Sequence, residues 1–388
     1  MNLKSSKVEA KFGPNQKEFE IGNITYLAKE EPLKLSNGSS ASNFPLAYQT
    51  YGQLNADKSN AILICHALTG DQYVASKNPV TGKDGWWEFM VGEDKPIDTN
   101  KFFIIATNSI GGCMGSWGPQ SINPETQKPY NLDFPIITIN DMVNAQNLLI
   151  EAFGIKKLHA VIGGSFGGMQ VLSWTNLYPE KVKLAIPIAT SYRFSPQNIG
   201  FHEVARQAIM ADPHWNGGKY FENSTYPSSG LAVARMTAHI TYLSEKSLHS
   251  KFGRGLQDKQ KFSFSFDKDF KIESYLHHQG YRFVERFDPN SYLYLTKATD
   301  YFDLETDYDG KLSNAFVNFS KIKENKFCII AFSDDWLFPA SESQKLTKAL
   351  ISCFSDVSFV TIDSESGHDS FLIENEPLKQ AIKSFLNQ

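Results

Sequence analysis

Continuous apolar runs of five or six residues recur through the first half of the chain, separated by longer polar or mixed stretches. Such runs predict strands that are buried on both faces, as in a parallel sheet covered by helices. They lie at residues 61–65, 102–107, 158–162 and 184–189, after an earlier alternating strand at 46–52. Helical patterns between the runs predict an α/β fold with a mostly parallel central sheet.

One helical pattern between these runs carries its own end signals. Apolar residues recur on one face from Ile139 to Ala152, and Thr138 stands at the N-cap position with Asp141 three residues later. Gly154 follows the last apolar position, as is usual after a helix C-terminus. The sequence therefore predicts a helix over residues 139–152.

The alternation of strands and helices stops at residue 192. From there to residue 322 we find only helical patterns, at 197–210, 231–243, 281–287 and 289–300. An insertion of this length exceeds the usual connection between sheet elements and predicts a helical lid or cap. The apolar runs return at 327–332 and 357–362, before a final amphipathic helix.

These patterns divide the chain into three segments. Residues 1–191 are expected to form the first part of an α/β core, and residues 192–322 the helical lid. Residues 323–388 are expected to complete the core.

A glycine-rich turn follows the run at 158–162. It reads Gly-Gly-Ser-Phe-Gly-Gly over residues 163–168, and a helix-compatible segment continues to Tyr178. This is the G-x-S-x-G spacing of a nucleophile elbow, in which a strained backbone holds a serine at a helix N-terminus. The alternative is a glycine-rich turn with an incidental serine. The strand before it and the helix after it favour Ser165 as a nucleophile.

A serine nucleophile needs a histidine base and an acid that orients the histidine, in the chain order serine, acid, histidine. His368 lies in a loop just after the run at 357–362. Asp334 and Asp335 directly follow the run at 327–332, and spacing does not choose between them. A solvated loop carboxylate is the alternative for both. Three groups arriving in order at three strand ends favour a catalytic triad.

Two backbone N–H groups are candidates for an oxyanion hole. One belongs to Phe166, directly after the serine, and the other to Leu68, in the turn after the run at 61–65. We interpret His66 in that turn as structural, because no carboxylate or metal-ligand spacing accompanies it. The sequence contains no metal motif, phosphate-binding loop or dinucleotide motif, so neither a metal nor a bound cofactor is expected.

Composition restricts the possible partners. The 388 residues carry a net charge of −4 with a pI near 6.2, which does not favour nucleic acid or an anionic membrane. No run reaches the length of a membrane span, and the polar N-terminus lacks the apolar stretch of a signal peptide. Four widely spaced cysteines, without a C-x-x-C pair, fit a reducing compartment. We therefore expect a cytoplasmic protein.

Further motifs are distributed along the chain beyond the elbow. They are HALTGD (66–71), GWWEFMVG with KPIDT (85–99), NSIGGCMGSWGP (108–119), GGSFGGMQ (163–170), IPIAT (186–190), QNIGFHEVARQAIMADP (197–213), ARMTAHITYLSE (234–245), RFVERFDPNSYLYLTKATDYFD (282–303), DWLFP (335–339) and GHDSFL (367–372). In these motifs the chain resembles the homoserine O-acetyltransferase family of the α/β-hydrolase superfamily. The resemblance covers nearly everything from Leu46 to Leu372.

This resemblance implies an α/β-hydrolase fold with a helical lid and an enzyme of methionine biosynthesis. It implies transfer of an acetyl group from acetyl-CoA, a co-substrate, to the hydroxyl of L-homoserine by a ping-pong route through Ser165. The acid implied by the family pattern is the aspartate directly before Trp-Leu-Phe, which is Asp335 rather than Asp334. A homodimer is also implied.

The family's substrate-binding positions fall on Arg235, Tyr242 and Asp369. An arginine suits a planar carboxylate, and an aspartate beside the base offers a counter-charge to an ammonium group. Without the resemblance, a weak surface ion pair would be the preferred interpretation of Arg235.

The chain departs from the family pattern at a few positions. Phe166 stands where methionine is commoner, which leaves the backbone donor intact. Trp117 stands where a small threonine or serine is usual, in a loop expected near the acyl site, so its bulk bears on the pocket volume. His277 and His278 replace a more typical Arg-Tyr pair.

Several alternatives stay open. Succinyl-CoA as donor, or serine as acceptor, would require only one or two different pocket side chains. An esterase would use the same triad with water as acceptor, although the long lid and the Arg235 and Asp369 pair argue against it. A non-catalytic binding protein would be expected to have lost the serine, aspartate or histidine, and all three are present.

Overall fold

The computed structural model describes residues 6–388, so the first five residues of the expected core lie outside it. Within that range nine strands form one large sheet. Their bounds are β1 Ser6–Phe12, β2 Lys17–Leu27, β3 Phe44–Tyr51, β4 Ala61–Cys65, β5 Phe103–Thr107, β6 Leu158–Gly164, β7 Val182–Ile188, β8 Lys326–Phe332 and β9 Asp356–Ile362. Every strand expected from an apolar run is present, so the α/β prediction is confirmed.

The strand order across the sheet is β1-β2-β3-β5-β4-β6-β7-β8-β9. From β5 to β9 in this order the strands are parallel, and β1, β2 and β3 add an antiparallel edge. Near the centre of the sheet, Ile162 of β6 pairs with Ile64 of β4 and Ile186 of β7. Because the carboxyl ends of parallel strands meet at one edge, the loops after β4, β6, β8 and β9 are gathered there.

The ten α-helices of the described chain are α1 Ile139–Ala152, α2 Phe166–Leu177, α3 Pro196–Met210, α4 Ser228–Tyr242, α5 Glu245–Phe252, α6 Lys271–Val284, α7 Pro289–Asp300, α8 Val317–Ser320, α9 Ala340–Ser352 and α10 Glu376–Leu386. The predicted helix 139–152 has the predicted cap. The Thr138 side chain accepts the N–H of Asp141, and the Asp141 carboxylate accepts the N–H of Thr138. This reciprocal pair satisfies two backbone donors that the helix itself cannot.

Apolar side chains cover both faces of the sheet. On one face, residues of α1, α2 and α9 pack against strand residues such as Leu63, Val161 and Ile329. On the other face, Leu378 and Ile382 of α10 pack against the alternate strand residues. Burial on both faces explains why these strands were visible as continuous apolar runs.

Between β7 and β8 the described chain contains helices α3 to α8 and adds no strand to the sheet. Helix α6 begins at Lys271, ten residues before the predicted start, because the Glu273 carboxylate accepts the N–H of Phe270 and fixes an earlier first turn. Helix α5 has no buried residue and therefore no apolar stripe to predict it. The division into segments 1–191, 192–322 and 323–388 stays a prediction.

Candidate active site

Ser165 occupies the turn between β6 and α2 with φ of +58° and ψ of −122°, a backbone conformation that is costly for a residue with a side chain. Its N–H donates to the Ile188 carbonyl at 2.9 Å, and the Thr190 hydroxyl donates to its carbonyl at 2.8 Å. A Cβ at position 167 would clash with the Cys65 carbonyl oxygen, so this approach of α2 to β4 requires Gly167. The neighbouring backbone thus holds the serine in its strained geometry.

The Ser165 hydroxyl makes no capping hydrogen bond to α2 and lies instead beside a histidine. His368 follows β9 in a 3₁₀-helix, Gly367–Leu372, and its Nε2 atom is 2.8 Å from the Ser165 Oγ. Its Nδ1 atom is 2.8 Å from Oδ2 of Asp335. With Nδ1 protonated toward the carboxylate, Nε2 is free to accept the serine proton.

Asp335, not Asp334, lies against this histidine. The other oxygen of Asp335 accepts the N–H groups of Leu337 at 3.0 Å and Phe338 at 2.8 Å, and its side chain is buried. Asp334 forms an ion pair with Lys246 at 3.1 Å. Two backbone donors and one histidine therefore fix the orientation of the Asp335 carboxylate.

The charge balance around His368 has two opposing parts. Burial of the imidazole lowers its pKa, but the Asp335 carboxylate, by charge and hydrogen bond, and the nearby Asp369 raise it, and the net pKa lies above the ordinary value. His368 is therefore more readily protonated in this site than a histidine is in water. That is the state a general base reaches after accepting a proton.

The two expected oxyanion donors border the same space as the serine. Leu68 and Phe166 line a narrow cavity of about 40 Å³ together with Ser165. Phe166 is the first residue of α2, where backbone N–H groups lack a partner within the helix. Leu68 lies in the turn after β4, in which the Gly70 N–H donates to the Ala67 carbonyl at 2.8 Å.

His66 of that turn is satisfied by backbone groups. Its Nδ1 donates to the Ala67 carbonyl at 2.7 Å, and its Nε2 accepts the N–H of Ser109 at 3.0 Å. Burial lowers its pKa to about 4, although the Ala67 bond opposes the shift. A neutral histidine bonded to the backbone agrees with the structural interpretation of His66.

Helix α4 carries Arg235 and Tyr242, which are seven residues apart and so lie on one helical face. The Arg235 guanidinium lies 5.6 Å from the centre of the Tyr242 ring and 4.7 Å from that of Phe283. Its Nη1 donates to the Thr69 hydroxyl at 3.1 Å. Tyr242 lines the cavity of Ser165.

Asp369 directly follows the histidine and completes the group of expected substrate-binding residues. Burial raises the pKa of its carboxyl, while the charges of His368 and Arg235 oppose that shift. Six of the eight residues singled out from the sequence thus line the cavity of Ser165 or belong to its hydrogen-bonded series: Ser165, Asp335, His368, Leu68, Phe166 and Tyr242. Asp369 follows His368 in the chain, and Arg235 lies beside Tyr242 in the wall of a neighbouring cavity.

Two further charged residues beside this group were not singled out. Arg286 donates from Nη1 to the Thr69 carbonyl at 3.0 Å. Asp71 is buried, and burial raises the pKa of its carboxyl to about 6. Hydrogen bonds from the Tyr73 N–H and the Asn78 side chain and the charge of Arg286 oppose that shift. Asp71 and Arg286 both line a second cavity, of about 400 Å³, that also includes Thr69 and Arg235. Both residues lie in motifs of the family resemblance, HALTGD for Asp71 and RFVERFDP for Arg286. No residue spacing within these motifs indicates a chemical role, so the sequence did not single them out.

Trp117 is not in the wall of the cavity beside Ser165. It is buried among aromatic rings, 4.5 Å from Phe134 and 5.6 Å from Phe44 between ring centres. The ring turns into the core, so its bulk does not narrow the cavity beside Ser165. Within residues 6–388 we find no group of three or more side chains that could hold a metal ion. None of the described helices has the length and apolar character needed to cross a bilayer.

Comparison with known proteins agrees with this geometry. Residues 60–375 match the family model of the alpha/beta hydrolase fold. A homoserine O-acetyltransferase of Mesorhizobium japonicum is 59% identical over 92% of this chain and 91% of its own length. A solved homoserine O-acetyltransferase from Bacillus anthracis is 29% identical with a TM-score of 0.85, covering 94% of this chain and 97% of that one. The solved esterase E22 is 28% identical with a TM-score of 0.83, covering 94% and 99%.

The sheet order and the serine at its elbow thus define a member of the α/β-hydrolase fold class. Within that class the chain belongs to the homoserine O-acetyltransferase family, and it is an acyltransferase.

Proposed function

We propose that this enzyme transfers an acetyl group from acetyl-CoA to the hydroxyl of L-homoserine by a ping-pong mechanism in methionine biosynthesis. The observation that carries the proposal is the hydrogen-bonded series from Asp335 through His368 to Ser165, in which both hydrogen bonds measure 2.8 Å. Membership of the family supports the choice of substrates, and the hydrogen-bonded triad supports a covalent mechanism.

In the first half-reaction the Ser165 Oγ attacks the thioester carbonyl while His368 Nε2 takes the hydroxyl proton. Negative charge develops on the carbonyl oxygen, where the N–H groups of Leu68 and Phe166 stabilise it. The tetrahedral intermediate then collapses. His368 returns the proton to the departing CoA sulfur, and acetyl-Ser165 remains.

In the second half-reaction the homoserine hydroxyl gives its proton to His368 and attacks the acetyl carbonyl, and Ser165 leaves with that proton. Arg235 binds the α-carboxylate of homoserine, since a guanidinium presents a planar pair of donors. Tyr242 flanks this contact, and Asp369 receives the α-ammonium beside the base. The 4.7 Å stacking of Arg235 on Phe283 supports a fixed orientation of the guanidinium.

The shape of the cavity beside Ser165 supports acetyl rather than succinyl as the transferred group. It measures only about 40 Å³, and Phe194, Phe201 and Phe338 contribute much of its wall. A succinyl group would bring a carboxylate into this space, and no Lys or Arg of the described chain lines it. Burying a carboxylate without an arginine or lysine to pair with its charge is unfavourable.

The proposal extends to the assembly and location of the enzyme, a homodimer in the cytoplasm. Apolar side chains are exposed on two packed helices of the insertion, Ile199 and Val204 on α3 and Val233 and Ile240 on α4. A second copy of the chain would cover them. All four cysteines of the described chain are free thiols, which suits a reducing compartment.

A second candidate function, ester hydrolysis, is favoured by the likeness to esterase E22. The two functions differ only in whether water or an amino acid removes the acyl group. An assay of CoA thiol release separates them. Acetyl-CoA and succinyl-CoA are each tested with homoserine, with serine and without an acceptor. The proposal requires rapid release only with acetyl-CoA plus homoserine. Equal release without an acceptor would establish the hydrolase, and a preference for another pair would correct the donor or the acceptor.

A further inference from the structure

Two arginines of the helical insertion contact the same core residue, Thr69. Arg235 donates to its hydroxyl, and Arg286 donates to its backbone carbonyl at 3.0 Å. The mechanism above gives Arg235 a role and leaves Arg286 without one. The two contacts differ in kind. Arg235 contacts a side chain, whereas Arg286 contacts the backbone of the turn that carries the Leu68 N–H.

The turn contains two peptide groups joined by a hydrogen bond. In a trans peptide the C=O and N–H point in opposite directions, so fixing one fixes the other. Arg286 holds the Thr69 carbonyl, which aims the Gly70 N–H of the same peptide at the Ala67 carbonyl, 2.8 Å away. The Ala67 carbonyl shares its peptide with the Leu68 N–H. The chain of bonds therefore runs from Arg286 to the oxyanion donor.

A second anchor acts on the same carbonyl from the core side. The His66 Nδ1–H reaches the Ala67 carbonyl at 2.7 Å, and the Ser109 N–H holds the other side of the ring at 3.0 Å. The Ala67–Leu68 peptide is thus held by a histidine of the core and, through Gly70, by an arginine of the insertion. Linked hydrogen bonds also polarise one another, and a cation at one end strengthens the series.

Arg286 itself is held in place. It lies in the short turn between α6 and α7, where the Tyr226 hydroxyl donates to the Phe287 carbonyl at 2.7 Å and the Asp288 carboxylate caps α7. Its guanidinium lies 5.1 Å from the centre of the Phe283 ring. Burial lowers the Arg286 pKa only to about 10, so the side chain remains a cation at neutral pH.

We infer that Arg286 is a positioning residue for the oxyanion hole, acting through the Thr69–Gly70 and Ala67–Leu68 peptides on the Leu68 N–H. The inference rests on the proposed function, because it assumes that Leu68 stabilises the oxyanion of an acyl transfer through Ser165. It makes the helical insertion part of the catalytic geometry of the core, in addition to any role in acceptor binding.

The test uses the full-length enzyme with p-nitrophenyl acetate, which needs neither CoA nor an amino acid. The burst of p-nitrophenolate reports acylation of Ser165, and the steady state reports deacylation by water. The variants are Arg286→Met, which removes the donor, and Arg286→Lys, which keeps a cationic donor. Arg254→Met is the matched control, because Arg254 is an exposed arginine of the insertion that does not line the cavity of Arg286.

Losing one oxyanion donor outright costs about 10²–10³-fold in rate, so a misdirected donor should cost at least about tenfold. We expect Arg286→Met to slow acylation and deacylation by a similar factor of that size, with the half-saturating ester concentration unchanged. Arg286→Lys should recover most of the loss, and Arg254→Met should match the wild type. Should Arg286→Met fail to fold, Arg286→Gln, which keeps a shorter neutral donor, takes its place with the same expected loss.

The outcomes separate the inference from the proposed function. If Ser165→Ala releases p-nitrophenolate as fast as the wild type, Ser165 is not the acylated residue and both fail. If the wild type shows a burst and Arg286→Met matches it, the proposed function stands and the positioning role is wrong. The role is also wrong if the Met and Lys variants are equally slow and both unfold at lower temperature, since that pattern reports a structural residue.

Discussion

The Nε2 atom of His368 lies 2.8 Å from the Oγ of Ser165, although 203 residues separate them in the chain. The contact forms because β6 and β9 run parallel in one sheet, so that the residues following each strand emerge at the same edge. The strained turn at Ser165 and the 3₁₀-helix at His368 then direct the two side chains toward each other. The predictions below test what this arrangement does.

The first prediction concerns the nucleophile. Incubation with acetyl-CoA alone should add one acetyl group to the peptide that contains Ser165, because a ping-pong route leaves the acyl group on the enzyme until an acceptor arrives. Ser165→Ala should abolish both the label and turnover. Peptide mass mapping measures the label. Full turnover with no label on Ser165, even after rapid quenching, would contradict the covalent route.

The second prediction separates the two neighbouring aspartates. Asp335→Asn should reduce kcat by roughly 10⁴-fold, because the amide leaves His368 in the wrong tautomer, as in serine protease triads. Asp334→Asn is the matched control and should change kcat by less than about threefold, since the ion pair that it breaks is with an exposed lysine and does not involve His368. Steady-state kinetics of both variants decide the matter. Reversed phenotypes would assign the acid to Asp334.

The third prediction concerns the acceptor. Arg235→Ala should acetylate Ser165 at a near wild-type rate in a single turnover. Its deacylation by homoserine should be weakened by about 1.5–3 kcal/mol, the size of a hydrogen bond to a charged group, while deacylation by water changes little. The control is Arg254→Ala, which removes an exposed arginine of the insertion outside the cavity that Arg235 lines. Slow acylation in Arg235→Ala would move the residue to the donor site or to a structural role.

The fourth prediction concerns pH. His368 must be neutral to accept a proton, and its pKa lies above the ordinary value because the carboxylates of Asp335 and Asp369 outweigh burial. The acylation rate should therefore fall on the acidic side at a pH above about 6.5, the value for a free histidine. Asp335→Asn removes a raising charge, so the residual activity of that variant should persist to lower pH. An unshifted acidic limb in the variant would contradict this charge balance.

The same shift has a consequence for stability. Because the folded pKa of His368 lies above the unfolded one, the proton binds the folded state more tightly. The resulting stabilisation is complete below the unfolded pKa and is lost as pH rises through the folded pKa. Comparing the free energy of unfolding of the wild type and His368→Gln across this range measures it. A difference that grows with rising pH would have the wrong sign.

The fifth prediction concerns the assembly. If the exposed apolar residues of α3 and α4 form the interface of a homodimer, Val204→Asp combined with Val233→Asp should give monomers, because charges would be buried against an apolar partner. Light scattering after size exclusion measures the mass. Ile351→Asp on α9 alters an equally exposed apolar residue elsewhere and should leave the dimer intact. A wild type that is already monomeric would rule the dimer out.

Some residues could be placed in the site from local sequence alone. The apolar run before Gly163, the G-x-S-x-G spacing and the helix after it specify the elbow, because strand, turn and helix are decided by near neighbours. His368 could be chosen by chain order and by its place after a strand. The helix from Ile139 to Ala152 was bounded correctly by its own cap residues.

Other features depended on packing between distant segments. The choice between Asp334 and Asp335 needed the family resemblance, because adjacent side chains point in different directions only once the loop after β8 has its final shape. Arg286 went unassigned, since its partner Thr69 is 217 residues away and a lone arginine has no diagnostic spacing. Trp117 was expected near the acyl site, and only core packing with Phe44 and Phe134 decided otherwise.

The sequence by itself thus determined the α/β core, the serine elbow and the helical nature of the insertion, because periodicity and glycine spacing express short-range sterics and burial. Residue spacing left the choice between Asp334 and Asp335 open, and the tertiary structure places Asp335 against His368. Only the tertiary structure decided how Arg235 stacks on Phe283 and that Arg286 reaches the Thr69 carbonyl. These contacts join the insertion to the strand ends of the core. Their physical cause is long-range packing, which no local pattern records.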